Sequence, residues 1–204
     1  MFSIRRMNSS PLRTGTKFLA VLAGLTLTGS LALAQSGSLT LGQETSGSKN
    51  LLVNGDFTKG TEGWTFDPHA KHGVMTLDPN EKHGNNPSVR IENAQDDDSH
   101  LKQKVTVEPE TRYRLEGYIK TKDARSTQRD GKGGASLDLE GTRQKSLSVN
   151  KTKSWTRVSV DIITGAETEV EVGGRLGFWN DGVVGTAWFA DLSLVKIGKA
   201  PPRR

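Results

Sequence analysis

Gly185-Thr-Ala-Trp-Phe-Ala-Asp-Leu-Ser-Leu-Val-Lys-Ile197 is the stretch on which the fold of this chain hinges. Its even positions include Trp188, Ala190, Leu192 and Leu194, and its odd positions include Phe189, Asp191, Ser193, Val195 and Ile197. Successive residues of a strand point to opposite faces, so apolar residues on both indicate a strand covered on both sides, near the middle of a β-domain. Asp191 lies inside this run. A carboxylate in such a place has to be hydrogen-bonded, ion-paired or metal-bound, because a bare buried charge is strongly unfavourable.

Working back through the chain, short alternating runs recur. Val74–Leu77, Val89–Ile91 and Leu101–Val107 are separated by clusters of Gly, Pro, Asn and Asp. Tyr113, Leu115, Gly117 and Ile119 alternate with Arg112, Arg114, Glu116, Tyr118 and Lys120; Ala135, Leu137 and Leu139 alternate with Ser136, Asp138 and Glu140. Val158, Val160 and Ile162 form a further face, and Val170, Val172, Leu176 and Phe178 another, with Gly173-Gly174 expected to bend or bulge the strand. Helical periodicity is absent beyond the N-terminal region. Many short strands with turn signals between them predict an all-β, two-sheet antiparallel sandwich.

The natural companion of the closing strand is Asn50-Leu-Leu-Val-Asn-Gly-Asp-Phe-Thr-Lys-Gly-Thr-Glu-Gly-Trp-Thr-Phe66. Together the two resemble the opening and closing strands of carbohydrate-binding modules of the family 4/9/22 type, which begin with an N-L-L-x-N-G-x-F-E-x-G-x-x-G-W pattern and close on a Trp followed by an Asp pair. Thr111–Lys120 and Trp155–Val160 fit the middle of the same pattern. The resemblance covers about Asn50 to Ile197 and implies a jelly roll. It also implies that Trp64, Trp155 and Trp188 belong mainly to the framework. Similar modules often hold a structural calcium where first and last strands meet. Here the family's Glu is Thr58 and the first of its two Asp residues is Ala190. Asp191, with help from Asp56, could supply only part of the six to eight or so oxygens that calcium takes. Hydrogen bonding of Asp191 without metal stands beside calcium as an equal expectation.

The N-terminal 34 residues read as a signal peptide. Arg5, Arg6, Arg13 and Lys17 precede the apolar run Phe18-Leu-Ala-Val-Leu-Ala-Gly-Leu-Thr-Leu27, and Ala32-Leu-Ala34 forms an A-x-A-like cleavage site. Thr26, Thr28, Gly29 and Ser30 interrupt the run, which is short for a membrane span, so release after export is expected. Residues 35–49, rich in Ser, Gly and Thr, read as a flexible leader; a single domain follows over 50–198, with a basic tail over 199–204. The whole chain carries 28 Lys+Arg and 23 Asp+Glu; without the four basic residues of the signal the balance is 24 to 23, a net of +1. That removes the charge argument for a nucleic-acid partner. With no cysteine, no disulfide supports the fold.

Sugar rings are bound on flat aromatic surfaces with planar polar side chains at the rim. If Val170, Val172, Leu176 and Phe178 point inward, Trp179 points out, and Tyr118 lies on the polar side of its own strand. The expected carbohydrate site is a platform of Trp179 and Tyr118 with Arg114, Glu116, Asp138, Glu140 and Asn180 around it. The alternative is that a loop such as Thr121–Gly133 covers both rings. Asp96-Asp97-Asp98 lacks the spacing of a calcium loop and reads as a solvated turn. His69, His72 and His83 read as surface residues and not a zinc site. Glu116 with Glu140 or Asp138 could form a hydrolytic carboxyl pair only if they met across a cleft. The expected protein is therefore a secreted, monomeric, non-catalytic module for polysaccharide or cell-envelope glycan, able to work beside a glycoside hydrolase. An extracellular module that binds a protein partner is the alternative. N-terminal sequencing of exported protein should return Gln35 as the first residue; Met1 on extracellular material would contradict the signal-peptide assignment.

Overall fold

The computed structural model describes residues 49–202 except 130 and 132. The expected signal peptide and the leader up to residue 48 lie outside the described residues, as do 203–204 of the tail. The strands are β1 (Thr65–Pro68), β2 (Gly73–His83), β3 (Asn86–Asp97), β4 (Ser99–Thr106), β5 (Thr111–Ser126), β6 (Ala135–Leu139), β7 (Lys151–Ile163), β8 (Glu169–Leu176) and β9 (Val183–Lys199). They form a four-stranded sheet in the order β1-β4-β8-β6 and a five-stranded sheet in the order β2-β3-β9-β5-β7. Every pairing is antiparallel. No helix occurs among the described residues. The architecture is the expected two-sheet sandwich, and β9 lies at the centre of the larger sheet.

Period-two alternation supplies the core. Leu101 and Val105 of β4, Leu137 and Leu139 of β6, and Val170, Val172 and Leu176 of β8 face Val89, Ile91, Tyr113, Leu115, Ile119 and Phe189 of the other sheet. Gly173 and Gly174 do not bulge, since β8 keeps an unbroken register with both β4 and β6 through them. Gly174 is there for a close approach: a Cβ on it would lie 2.5 Å from the Phe189 ring across the core.

The closing strand departs from simple alternation. Ala187 and Phe189 point into the core, but so do Leu192 and Leu194, while Trp188 stays outside the core cluster. The faces exchange at Asp191, which has φ of +51°. Opposite it, Glu116 pairs with Ser193 and Tyr118 with Ala190, so β9 carries one residue more than β5 across this interval. That is a β-bulge. Gly117 makes room for it, because a Cβ there would lie 2.3 Å from Leu192 Cδ2. The expected faces of 185–197 therefore hold only on either side of Ala190–Asp191.

Beyond the bulge the opening segment joins β9, as the pairing of first and last stretches predicts. Leu51 N donates to Leu194 O at 2.8 Å and Leu192 N to Gly55 O at 2.8 Å. Asn50 Oδ1 accepts from the backbone N–H of Leu52 at 3.0 Å and of Leu194 at 2.9 Å.

The Asp96–Asp98 turn is not solvated throughout. Only Asp96 is exposed; Asp97 and Asp98 are buried. The Asp97 carboxylate accepts from four backbone N–H groups, those of Ala70, His72, Gly73 and Asp98, at 2.7–2.8 Å. Burial opposes its charge, yet these four donors hold its pKa below the usual carboxylate range.

Candidate functional site

β8 ends at Leu176, two residues before the position at which continued alternation would turn Phe178 inward. Phe178 and Asp181 instead exchange backbone hydrogen bonds of 3.0 Å in each direction and enclose a two-residue turn, Trp179-Asn180. Trp179 has φ of +54°, a left-handed conformation that glycine adopts readily at the first central position of such turns and that a bulky residue does not. The residue is 48% exposed. It borders an open groove of about 680 Å3 lined by Gln128, Arg129, Gly131, Arg143, Phe178, Asn180 and Asp181.

Beneath this turn, the outer face of the four-stranded sheet carries a layer of charges. Arg175 of β8 makes a two-pronged ion pair with Asp98, 2.6 Å from Nε and 2.6 Å from Nη2. Its Nη1 donates to Asp138 at 3.1 Å and to Glu140 at 3.5 Å. His100 of β4 stands with Nε2 2.9 Å from Asp138 and Nδ1 2.7 Å from Glu140. Its ring nitrogens are buried and not aligned for straight hydrogen bonds, so these are ionic contacts between close but tilted groups. On β8, Gly173 stands between Asp138 of β6 and Lys102 of β4, and a Cβ on it would lie 1.9 Å from Leu101 O.

Burial lowers the basicity of His100, but Asp138 and Glu140 outweigh it and push the pKa up to about 9. The contact with His100, against the opposing effect of burial, pulls Glu140 down to about 2. Asp98 is moved the other way, upward, because burial outweighs Arg175. Burial also opposes the charge on Arg175, but Asp98 and Asp138 more than restore it.

The layer reaches the turn through Phe178. The Arg175 guanidinium lies 5.3 Å from the centre of its ring and Lys145 Nζ 5.0 Å from it. These cation–π contacts keep Phe178 on the outer side of the sheet, not in the core as alternation predicts. Phe178 in turn lies beside Trp179, ring centres 6.0 Å apart.

The residues expected in one platform are thus divided between the two outer faces of the sandwich. Trp179, Asn180, Asp138 and Glu140 belong to the four-stranded side. Asp138 faces outward as alternation requires, yet it is completely buried under His100 and Arg175 and is no rim residue. Tyr118, Arg114 and Glu116 lie on the outer face of the five-stranded sheet. Arg114 pairs with Asp161 at 2.8 Å and Glu116 with Arg157 at 2.7 Å, both across β5 and β7. Glu116 therefore does not meet Asp138 or Glu140 across a cleft.

Tyr118 is covered, though by a segment other than Thr121–Gly133. The end of the β2–β3 hairpin folds across the sheet. His83 stacks on Tyr118 with ring centres 3.6 Å apart, Glu81 pairs with Lys120 at 2.8 Å, and Asp78 accepts from Trp188 Nε1 at 3.0 Å.

A family model, the CBM_4_9 carbohydrate binding domain, matches residues 49–172. The chain belongs to this family. The matched stretch stops before the Trp179 turn. No match was found among curated proteins. Among solved structures, a CBM61 module in complex with β-1,4-galactotriose is 18% identical, covers 74% of this chain and 100% of its own, and superposes with a TM-score of 0.51. The CBM22-1 xylan-binding domain of Paenibacillus barcinonensis Xyn10C is 11% identical over 76% of this chain and 97% of its own, TM-score 0.51. The tailspike protein 4 enzymatically active domain of bacteriophage CBA120 is 13% identical, over 72% of this chain and 21% of its own, TM-score 0.53. At such identities the likeness is one of fold.

Within this carbohydrate-binding domain the two possible metal positions differ. At the junction of first and last strands, both Asp191 oxygens face hydrogen-bond donors, Asn86 Nδ2 at 2.7 Å and His83 Nδ1 at 2.5 Å. Asp56 caps its own turn through Thr58 N and Oγ1 at 3.2 and 3.0 Å. This set fits hydrogen bonding and not the oxygen shell of a calcium ion. His100, Asp138 and Glu140 are the one three-residue group of metal-ligand type among the described residues, but Arg175 already places its charge on both carboxylates.

Sequence reasoning missed His100, Arg175, Asp98 and Lys145. The available signal was His100 and Arg175 at alternating, outward positions of strands that would have to be neighbours.

The charge layer has a defined pH signature. The raised pKa of His100 means that its contribution to stability is complete below its unfolded value of 6.5 and is lost as pH rises through about 9. Glu140 contributes above its unfolded value of 4.5 and loses that contribution as pH falls through about 2. The melting temperature should therefore fall between pH 7 and 10. His100→Gln should lower stability by about 1–3 kcal/mol at pH 6, because Asp138 and Glu140 lose the imidazolium and keep Arg175 as their counter-charge, and should flatten the alkaline decline. Equal alkaline slopes in the two proteins would contradict the assignment.

Proposed function

We propose that the mature protein is an exported, non-catalytic carbohydrate-binding module that takes polysaccharide or cell-envelope glycan on the Trp179 turn and assists a glycoside hydrolase. Family membership supports the ligand class, and the basic, apolar and A-x-A segments at the N-terminus support export. The observation that carries the choice of site is the exposed Trp179 ring in a left-handed conformation. A large aromatic surface in water and a strained backbone are both unfavourable, and such strain clusters at functional positions. Asn180 and Gln128 provide planar amides beside the ring, as hydrogen-bonding partners for sugar hydroxyls. Tyr118 takes no part in this site, because His83 already occupies its face.

Affinity electrophoresis of the mature protein against a panel of soluble polysaccharides tests the reading. At least one polysaccharide should retard the protein. Trp179→Ala should abolish that retardation while changing stability by less than about 1 kcal/mol, and Tyr118→Ala should leave it intact. Undiminished retardation of Trp179→Ala would overturn the site.

A further inference from the structure

Arg129 and Arg143 line the Trp179 groove, and both are exposed. Among the described residues neither has a carboxylate within ion-pair distance, as is also true of Arg112 and Arg125 elsewhere on the surface, whereas Arg114, Arg157 and Arg175 are paired. The one acidic residue of the described lining, Asp181, is engaged: its Oδ1 accepts from the Ser126 hydroxyl. The nearby Asp96 likewise accepts from Thr127 Oγ1 at 2.6 Å.

Two more cations, Lys145 and Arg175, press on the Phe178 ring beside Trp179. Lys145 is half-buried and holds only the Ser148 hydroxyl, at 2.7 Å; burial lowers its pKa. The groove thus combines an open aromatic face with guanidinium groups that have no carboxylate partner among the described residues. The planar guanidinium fork matches a carboxylate in two-pronged geometry, and hydrogen bonds between charged groups are about twice as strong as neutral ones. A neutral sugar would use the Trp179 ring and the amides of Gln128 and Asn180 but leave both guanidinium groups without a counter-charge.

We infer that the Trp179 groove is selective for acidic polysaccharide: a uronate residue stacks on Trp179 while its carboxylate pairs with Arg129 and Arg143. The inference rests on the reading of Trp179 as the glycan site and adds the chemical class of the ligand.

Calorimetric titration with polygalacturonate, alginate and hyaluronan, each beside its methyl ester, tests it, because esterification removes the charge and keeps the sugar backbone. Arg129→Gln combined with Arg143→Gln is the test variant. Lys82→Gln combined with Lys122→Gln makes the same change of net charge away from the groove. The expected result is binding to at least one uronate polymer, at least about tenfold weaker binding of its ester, and at least a tenfold loss in the double arginine variant with melting unchanged. The double lysine variant should bind as the unsubstituted protein does.

Equal affinity for acid and ester, or equal losses in the two double variants, would overturn selectivity for acidic sugars. If Trp179→Ala still lost binding in that case, the glycan site would stand and only the ligand class would fall. Binding to none of the acidic polymers would overturn the inference, and retained affinity in Trp179→Ala would overturn the site with it.

Discussion

Arg175 is the residue on which the outer face of the four-stranded sheet depends. Its guanidinium joins Asp98 at the start of β4 to Asp138 and Glu140 at the end of β6, and so binds three strands of the smaller sheet across their outer face. Such a network adds little raw stability, since desolvation of the ions offsets much of their attraction. Its effect is geometric. A fully paired charge layer has few alternative arrangements, and Phe178 rests on it between Arg175 and Lys145. With Phe178 fixed outside the core, the chain has only two residues in which to reverse, and Trp179 is carried into solvent.

The two outer faces of the sandwich have therefore become different surfaces. On the five-stranded sheet three of these side chains are engaged internally: Tyr118 under His83, Trp188 bonded to Asp78, Lys120 to Glu81. The bulge at Asp191 belongs to the same arrangement, because it presents that carboxylate to His83 and Asn86 and secures the end of the β2–β3 hairpin. On the four-stranded side the charges are buried beneath, and an exposed Trp179 stands at the edge beside two arginines that have no carboxylate partner among the described residues.

Much of the fold was legible in the sequence, because burial on one face imposes a period of two that a single residue type cannot disguise. The runs around Leu101, Tyr113, Leu137 and Val158 all lie in strands with the expected faces inward. Alternation failed where the backbone added or dropped a residue. The bulge at Ala190–Asp191 exchanged the faces of β9, and the early end of β8 took Phe178 out of the core. The platform failed for a different reason. Alternation gives the side of a sheet on which a residue lies, but not which sheet, nor what covers it. Tyr118 and Trp179 both point outward, on opposite sides of the molecule, and Asp138 points outward into complete burial. Trp179 was read as exposed from continued alternation of β8; it is exposed, but because the chain turns between Phe178 and Asp181.

The chain has four tryptophans, at positions 64, 155, 179 and 188, each with one indole N–H. Their four side-chain resonances in a proton–nitrogen correlation spectrum, assigned by single Trp→Phe substitutions and followed during titration with an oligosaccharide cut from a bound polysaccharide, measure directly where sugar contacts the protein. The account predicts that the Trp179 resonance moves and saturates, with those of Trp64 and Trp188 stationary. Movement of Trp155 or Trp188 with Trp179 unchanged would place the ligand on the five-stranded face and contradict it.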